Sequence, residues 1–358
     1  MNIKQVRSRI ERFSLTRPYT IAFRTISDVE MGLVEVETET GLIGMGCASP
    51  EPHVTGESRE ACATALRENN LEWLQGRDVR TLPALCRELG KRMENTPAAR
   101  AAVDMALYDL LAQHLGVPLV EMLGRAHQAL PTSITIGIKP LKATLDEANE
   151  YLGRGFRVLK VKLGHSLEED LERLAKLRER IGTKAAIRVD PNQGYSAEEV
   201  EIFVQKTAAL EIEFLEQPMP ADRVDALRRL PEPVRRRVAA DETLINEADA
   251  VSLIAPPPAC GIFNIKLMKC GGIHPARRIA DIAEIAGVEL MWGCMDESII
   301  SITAALHAAL ASPATRYLDL DGSLDLSRDV VSGGFVLEDG IMRTTSAPGL
   351  GLTRLESA

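Results

Sequence analysis

The sequence predicts an α/β protein: a TIM-type (β/α)8 barrel of seven or eight units, joined to a smaller part made of antiparallel strands and helices. Three observations predict it. Short β-rich runs alternate with helical stretches from about residue 130 to residue 322. Hairpin-like text lies on both sides of that region. A chain of 358 residues is also too long for one small core.

The chain opens with IKQVRSRIERF and MGLVEVETETGLIGMGCASP, alternating runs with a turn at ETGL, which read as antiparallel strands. A helix opens near Ser58. TPAARAAVDMALYDLLAQHLG follows as a strong amphipathic helix, with Pro97 near its start and Gly116 at its end. Then come eight strand candidates: TSITIGI, RVLKVKL, AAIRVD, IEFLEQP, VAADE, IFNIKL, VELMWG and RYLDLDG. Helical segments such as LEEDLERLAKLRERIG and SAEEVEIFVQKTAAL separate them, and others after TSITIGI and near 221–230, 245–254, 274–286 and 300–311 keep the rhythm. Strand–helix alternation implies a parallel sheet, and eight repeats close it into a barrel. The last stretch, FVLEDGIMRTT and APGLGLTR, is expected to rejoin the N-terminal layer. The expected division is 1–125, then 126–324 for the barrel, then 325–358 for the returning tail.

Composition excludes several classes. With 45% apolar and 26% charged residues the chain has the profile of a soluble globular protein. A net charge of -9 argues against a nucleic-acid surface. MNIKQVRSRIERF has no apolar leader and no cleavage site, and no apolar stretch is long enough to cross a bilayer, so no membrane partner is expected. Six scattered cysteines without CxxC read as reduced thiols in a cytoplasmic protein. The six histidines form no HExxH and no obvious triad.

Barrels of this kind work at the C-terminal ends of their strands, and here those ends are charged. The second strand ends in Lys160 and Lys162, the third in Asp190 with Asn192 behind it, and the fourth in Glu216. The fifth ends in Asp241 and Glu242, the sixth in Lys266, and the eighth in Asp319 and Asp321. Three carboxylates on adjacent strands repel one another unless a cation neutralises them. Oxygen ligands from Asp190, Glu216 and Asp241 suit Mg²⁺ before Ca²⁺; the alternative is a structural charge network with the lysines. Beside such an ion Lys160 and Lys162 stand in a cationic field that disfavours their protonated forms, so a lysine there can act as a general base. Lys266 lies about four strands around the ring from Lys162, so the two amines can face each other across the barrel mouth. A carbon acid bound between them can lose a proton on one side and regain it on the other while the metal stabilises the enediolate.

These residues resemble the enolase superfamily, muconate-lactonizing-enzyme subgroup, over nearly the whole chain. The motifs are KVK (160–162), VDPNQGY (189–195), FLEQP (214–218), ADET (240–243) and NIKLMKCGGI (264–273). Residues 98–124 look like the family's link into the barrel, and PGLG (348–351) like its ending. The resemblance implies an α+β capping domain, built from the N-terminal part and the tail, over the barrel. It implies one Mg²⁺ per subunit on Asp190, Glu216 and Asp241, acid/base lysines Lys162 and Lys266, and Lys160 holding the substrate carboxylate. Where many relatives read G-x-G-E, this chain has GMGCASP with Cys47, a departure expected to touch specificity rather than chemistry.

Within the subgroup, YLDLDG (317–322) looks like the DxD motif of the dipeptide epimerases. Alternation puts Asp319 and Asp321 on one face, as a clamp on a free α-ammonium requires. A succinylated amino acid would meet two uncompensated charges there, which disfavours N-succinylamino acid racemase or o-succinylbenzoate synthase activity. GCMDES (293–298) fits the same pattern, and Thr135 is expected to line the pocket. Arg24 matches the arginine that Ala-Glu epimerases resemble one another in carrying. Against it, Glu51 and Glu57 in the lid segment and Asp296 after strand seven favour Lys- or Arg-containing dipeptides. The expected substrate is therefore a cationic L,L-dipeptide, with Ala-Glu the runner-up, and a homo-oligomer is expected. A Schiff-base lyase and a non-catalytic dipeptide-binding protein are the readings from other classes.

Overall fold

The computed structural model describes residues 1–21 and 24–355; the side chains of residues 18–25, Arg24 among them, lie outside that description. An antiparallel sheet comes first, β1 (Ile3–Ile21), β2 (Arg24–Thr38) and β3 (Ile43–Ala48), in that spatial order. Alternation sends Phe13, Met31, Leu33 and Cys47 inward, where they are buried. The long helix Pro97–Leu115 packs on this sheet. The sequence reads it as amphipathic, yet nearly every residue from Ala98 to Leu110 is buried. Its alanines let β3 come close: a Cβ on Gly46 would stand 1.8 Å from the Ala102 carbonyl oxygen, so only glycine fits.

Two buried carboxylates make this helix a tie-rod. The Asp104 carboxylate accepts the Ile273 N–H at 2.5 Å, at the start of the barrel helix Ile273–Ala286. Asp109 accepts N–H bonds from Met45 in the sheet (3.0 Å) and Leu350 in the tail (2.8 Å).

After the short β4 (Leu130–Pro131) the barrel begins: β5 (Ile134–Ile136), β6 (Val158–Lys162), β7 (Ala186–Asp190), β8 (Ile212–Glu216), β9 (Val238–Ala240), β10 (Ile262–Ile265), β11 (Glu289–Gly293) and β12 (Thr315–Asp319). Neighbours in sequence pair in parallel, and a Thr132–Leu318 bridge with a 3.0 Å bond from Ser133 N–H to Leu318 O joins the first to the last. Connecting helices start and stop by local chemistry. Ser166 caps Leu167–Ile181, whose first turn carries Glu168, Glu169 and Asp170 and whose last carries Arg178 and Arg180. Ser196 and Glu199 form a capping box on Ala197–Lys206. Below the charged strand ends, Phe214, Ala239, Ile262 and Met291 fill the barrel with Tyr317; the Phe214 and Tyr317 rings meet edge-on at 4.9 Å, and the Arg188 guanidinium lies over both.

The tail forms β13 (Val331–Gly333), β14 (Phe335–Glu338), β15 (Ile341–Thr344) and β16 (Leu352–Arg354). Its contacts are split. The β14–β15 hairpin pairs with β4, whereas the Leu15–Leu326 bridge and the ion pairs Arg328–Glu11 (2.7 Å) and Arg354–Glu35 (2.8 Å) reach the N-terminal sheet. No helix among the described residues is long and apolar enough to cross a membrane.

Candidate active site

The charged strand ends meet at one mouth of the barrel. Period two along β6 sends Lys160 and Lys162 to the inner side. The buried Lys160 ammonium lies 2.7 Å from Asp319 Oδ2, 2.8 Å from Glu216 Oε2 and 3.5 Å from Asp190 Oδ2. Lys162 is 2.5 Å from Asp190 Oδ2 and half-buried. Lys266 follows β10 directly and stands 2.7 Å from Asp241 Oδ2. Lys162 and Lys266 thus rise from β6 and β10, four strands apart in a ring of eight. At the end of β11, Gly293 leaves room for this arrangement, since a Cβ there would meet Asn264 Oδ1 at 2.6 Å and Lys266 Cε at 3.1 Å.

Three strand ends differ from the sequence reading. Asp241 and Lys266 sit one residue past their strands, and Asp321 lies two past β12, so strand alternation does not reach it. Asp321 is nevertheless buried and accepts the Thr135 backbone N–H at 2.8 Å, so the contact at Thr135 is made by its main chain.

Groups the sequence reading left without a role complete the site. The fully buried Lys269 donates to Asp241 Oδ1 (2.5 Å) and to the carbonyl of Asn264 (3.1 Å). Asn264 Nδ2 donates to Glu216 Oε1 (2.9 Å), and Ser133 Oγ to Asp319 Oδ1 (2.6 Å). Asn264 stands two residues before Lys266 and Ser133 two before Thr135. Alternation could therefore have flagged both; Lys269 sits on a helical turn and carries no such signal.

Electrostatics set the character of the mouth. Six carboxyl groups (Asp190, Glu216, Asp241, Glu242, Asp319, Asp321) face four ammonium groups (Lys160, Lys162, Lys266, Lys269), an excess of two negative charges if all are ionised. Burial, with Asp190 and Asp241 close by, pushes the Glu216 carboxyl up; burial, Asp241 and Asp190 push Glu242 up to about 7. Burial with Asp319 beside it raises Asp321 to about 7. Burial opposes the charged forms of Lys160 and Lys266, but Asp319, Glu216 and Asp190 outweigh it at Lys160, as Asp241 and Glu216 do at Lys266, and both are held above their ordinary values. These directions come from the protein's own groups alone, whereas the lowered lysine is expected of the mouth with Mg²⁺ bound.

The donor set fits a hard divalent cation. It offers only oxygen, and Glu216 Oε2 and Glu242 Oε2 are buried without a hydrogen-bond donor, the former holding Lys160 as an ion pair alone. Among the described residues no three acid, histidine or cysteine side chains stand close enough to hold an ion as placed. The lysine ammonium groups lie between the carboxylates.

Residues 4–124 match the family Mandelate racemase / muconate lactonizing enzyme, N-terminal domain, and residues 143–358 match Enolase C-terminal domain-like. The chain belongs to the enolase superfamily. Among its relatives, the L-Lys-D/L-Arg epimerase of Methylococcus capsulatus is 63% identical over 98% of this chain and 99% of that protein. The L-Lys-D/L-Arg epimerase of Desulforapulum autotrophicum is 55% identical over 99% of this chain and 100% of its own. The crystal structure of the Methylococcus capsulatus dipeptide epimerase complexed with Mg and the dipeptide L-Arg-D-Lys superposes with a TM-score of 0.98 at 63% identity, covering 99% of this chain and 100% of that one.

In this enolase-superfamily member the segment leading from β3 to the first helices lies against the strand-seven loop. Ser49 Oγ donates to the Asp296 carbonyl at 2.8 Å, and Glu51 caps the short helix Pro52–Thr55. Glu57 corrects the sequence reading. It is no lid acid facing substrate but a buried carboxylate accepting the N–H groups of Ala98 (2.6 Å) and Ala99 (3.3 Å), so it caps the helix Pro97–Leu115. Cys47 is likewise turned into the core, 3.7 Å from Met31 Sδ, and its burial pushes the thiol up.

Proposed function

We propose that this protein is a Mg²⁺-dependent dipeptide epimerase, an isomerase that inverts the α-carbon of the C-terminal residue of L,L-dipeptides carrying Lys or Arg. The observation that carries the reading is the pair of lysines, Lys162 and Lys266, on facing walls of a barrel whose mouth holds an excess of carboxylate. Its similarity to the two L-Lys-D/L-Arg epimerases supports the cationic class.

Asp190, Glu216 and Asp241 would hold the Mg²⁺, which when bound supplies Lewis-acid stabilisation of the enediolate. Lys162 and Lys266 work the two faces of the α-carbon, one taking its proton and the other returning one. Lys160 is paired with Asp319 at 2.7 Å. A zwitterionic dipeptide exchanges into that pair charge for charge: its carboxylate takes Lys160, and its α-ammonium takes Asp319 and Asp321. Binding therefore splits one buried ion pair into two, so that each charge the dipeptide brings into the site meets an opposite one and the net charge is unchanged. Glu51 and Asp296 receive the cationic side chain, and Thr135 forms part of the wall. Self-association belongs to the same proposal; β1 presents an outer edge with Ile10 exposed, and light scattering of the purified chain reads the result. The six free cysteines support a reducing, cytoplasmic setting.

The test is α-proton exchange in D₂O across a panel of L,L-dipeptides. Exchange of Lys- and Arg-containing dipeptides, abolished by EDTA and restored by Mg²⁺, is expected. Exchange of L-Ala-L-Glu alone reverses the substrate class. Chelator-resistant turnover with borohydride trapping on Lys162 or Lys266 replaces epimerisation by Schiff-base chemistry.

A further inference from the structure

The lid bearing Glu51 is built as a closed knot with fixed ends. Within it, Thr55 Oγ1 donates to the Glu51 carbonyl at 3.0 Å, the Thr55 N–H donates to the same oxygen at 2.7 Å, and the Glu51 N–H meets Thr55 Oγ1 at 3.2 Å. Its far end is held by Glu57 on the Pro97–Leu115 helix. Its near end is held by Ser49, which is buried; the N–H faces Met268 Sδ at 3.3 Å and the hydroxyl donates to the Asp296 carbonyl at 2.8 Å. The loop on the other side of that bond is equally constrained. Met295 N–H donates to the buried Glu297 Oε1 at 3.0 Å, and Ser298 caps the helix Ile299–Leu310. Asp296 lies between these two anchors, and rotation of its peptide would swing its side chain. The Ser49 hydroxyl takes hold of that peptide's oxygen.

We infer that Ser49 is a specificity-determining positioning residue: by fixing the Asp296 carbonyl it sets the spacing between the Glu51 and Asp296 carboxylates and so the preference for cationic dipeptides. The inference rests on the cationic reading above. Ser49 itself touches no reacting atom in this account; it joins the cap's contribution to the pocket to the barrel's.

The experiment measures kcat and KM for L-Arg-L-Lys and for L-Ala-L-Ala by α-proton exchange. Ser49→Ala is expected to lower kcat/KM for L-Arg-L-Lys fivefold to tenfold, mainly through KM, and for L-Ala-L-Ala by no more than about twofold. Ser49→Thr and Ser49→Val share a volume and differ in the hydroxyl, so the first retains the preference and the second loses it. In an Asp296→Asn background Ser49→Ala adds no further loss of selectivity. Equal losses on both dipeptides reveal a merely structural role and overturn the inference, as does a Val variant as selective as the Thr variant. If the wild-type protein exchanges both dipeptides alike, the functional reading fails and takes this inference with it. A wild-type preference that Ser49→Ala leaves intact overturns the inference alone.

Discussion

At the residue scale the site is governed by shared partners. Lys160 divides its charge among Asp319, Glu216 and Asp190, and Asp241 divides its two oxygens between Lys266 and Lys269. Such sharing keeps buried charges compensated while leaving each bond replaceable by substrate. Asp319→Asn breaks both the Lys160 pair and the proposed ammonium clamp. A loss of at least about 100-fold in kcat/KM is expected for L-Arg-L-Lys, and a smaller loss for its Nα-acetyl derivative, which carries no α-ammonium; steady-state kinetics on both substrates read the difference. Most of these residues were legible because strand alternation places charges two apart, as at Lys160 and Lys162. Lys269 was not, since it sits on the turn after β10 and its partners are a strand end and two carbonyls. Glu57 misled because a carboxylate beside Gly56 in polar text looks solvated, and its role as a cap exists only once the chain brings residue 98 to it.

At the element scale the helix Pro97–Leu115 determines how cap and barrel meet. It binds the β3 backbone on one side and the start of Ile273–Ala286 on another, so its apparent amphipathicity is covered all round. Periodicity alone cannot show this, because a polar position such as Asp104 reads as solvent-facing until its N–H partners are seen. The barrel strands, by contrast, were legible in order and spacing, being short β-rich runs between amphipathic helices. Their ends were misplaced by one or two residues where the ladder stops before Asp241, Lys266 and Asp321. Because Glu57 supplies the cap from a distant segment, Glu57→Ala is expected to cost about 2 kcal/mol of stability, and Glu57→Gln less, by urea denaturation. An unchanged midpoint for Glu57→Ala would show that the cap contributes nothing.

At the scale of the whole molecule, burial of titratable groups makes stability depend on pH. His307 is fully buried and accepts the Val120 N–H on Nδ1; burial, with Arg125 adding to it, lowers its pKa to about 3. The unfolded chain takes up a proton near pH 6.5 and the folded one does not, so stability is lost as pH falls below about 6.5, by up to roughly 1.4 kcal/mol per unit. Asp104 and Asp109, raised by burial to about 7 and about 6, act in the opposite sense, their contribution falling as pH rises through those values. The difference in thermal midpoint between wild type and His307→Gln isolates the histidine, and it is expected to shrink steadily from pH 6.5 to pH 4.5. The proposed two-lysine reaction rests on this same whole-molecule geometry, with two amines carried to facing walls by strands four apart. Its most direct test is ¹H NMR of α-proton exchange in D₂O for Lys162→Ala and Lys266→Ala, with the L,L and the L,D epimer of Arg-Lys supplied separately. Neither variant should epimerise, each should exchange at most one epimer, and the two should choose opposite ones. Full epimerisation by either variant, or exchange of the same epimer by both, would contradict a reaction worked from two sides.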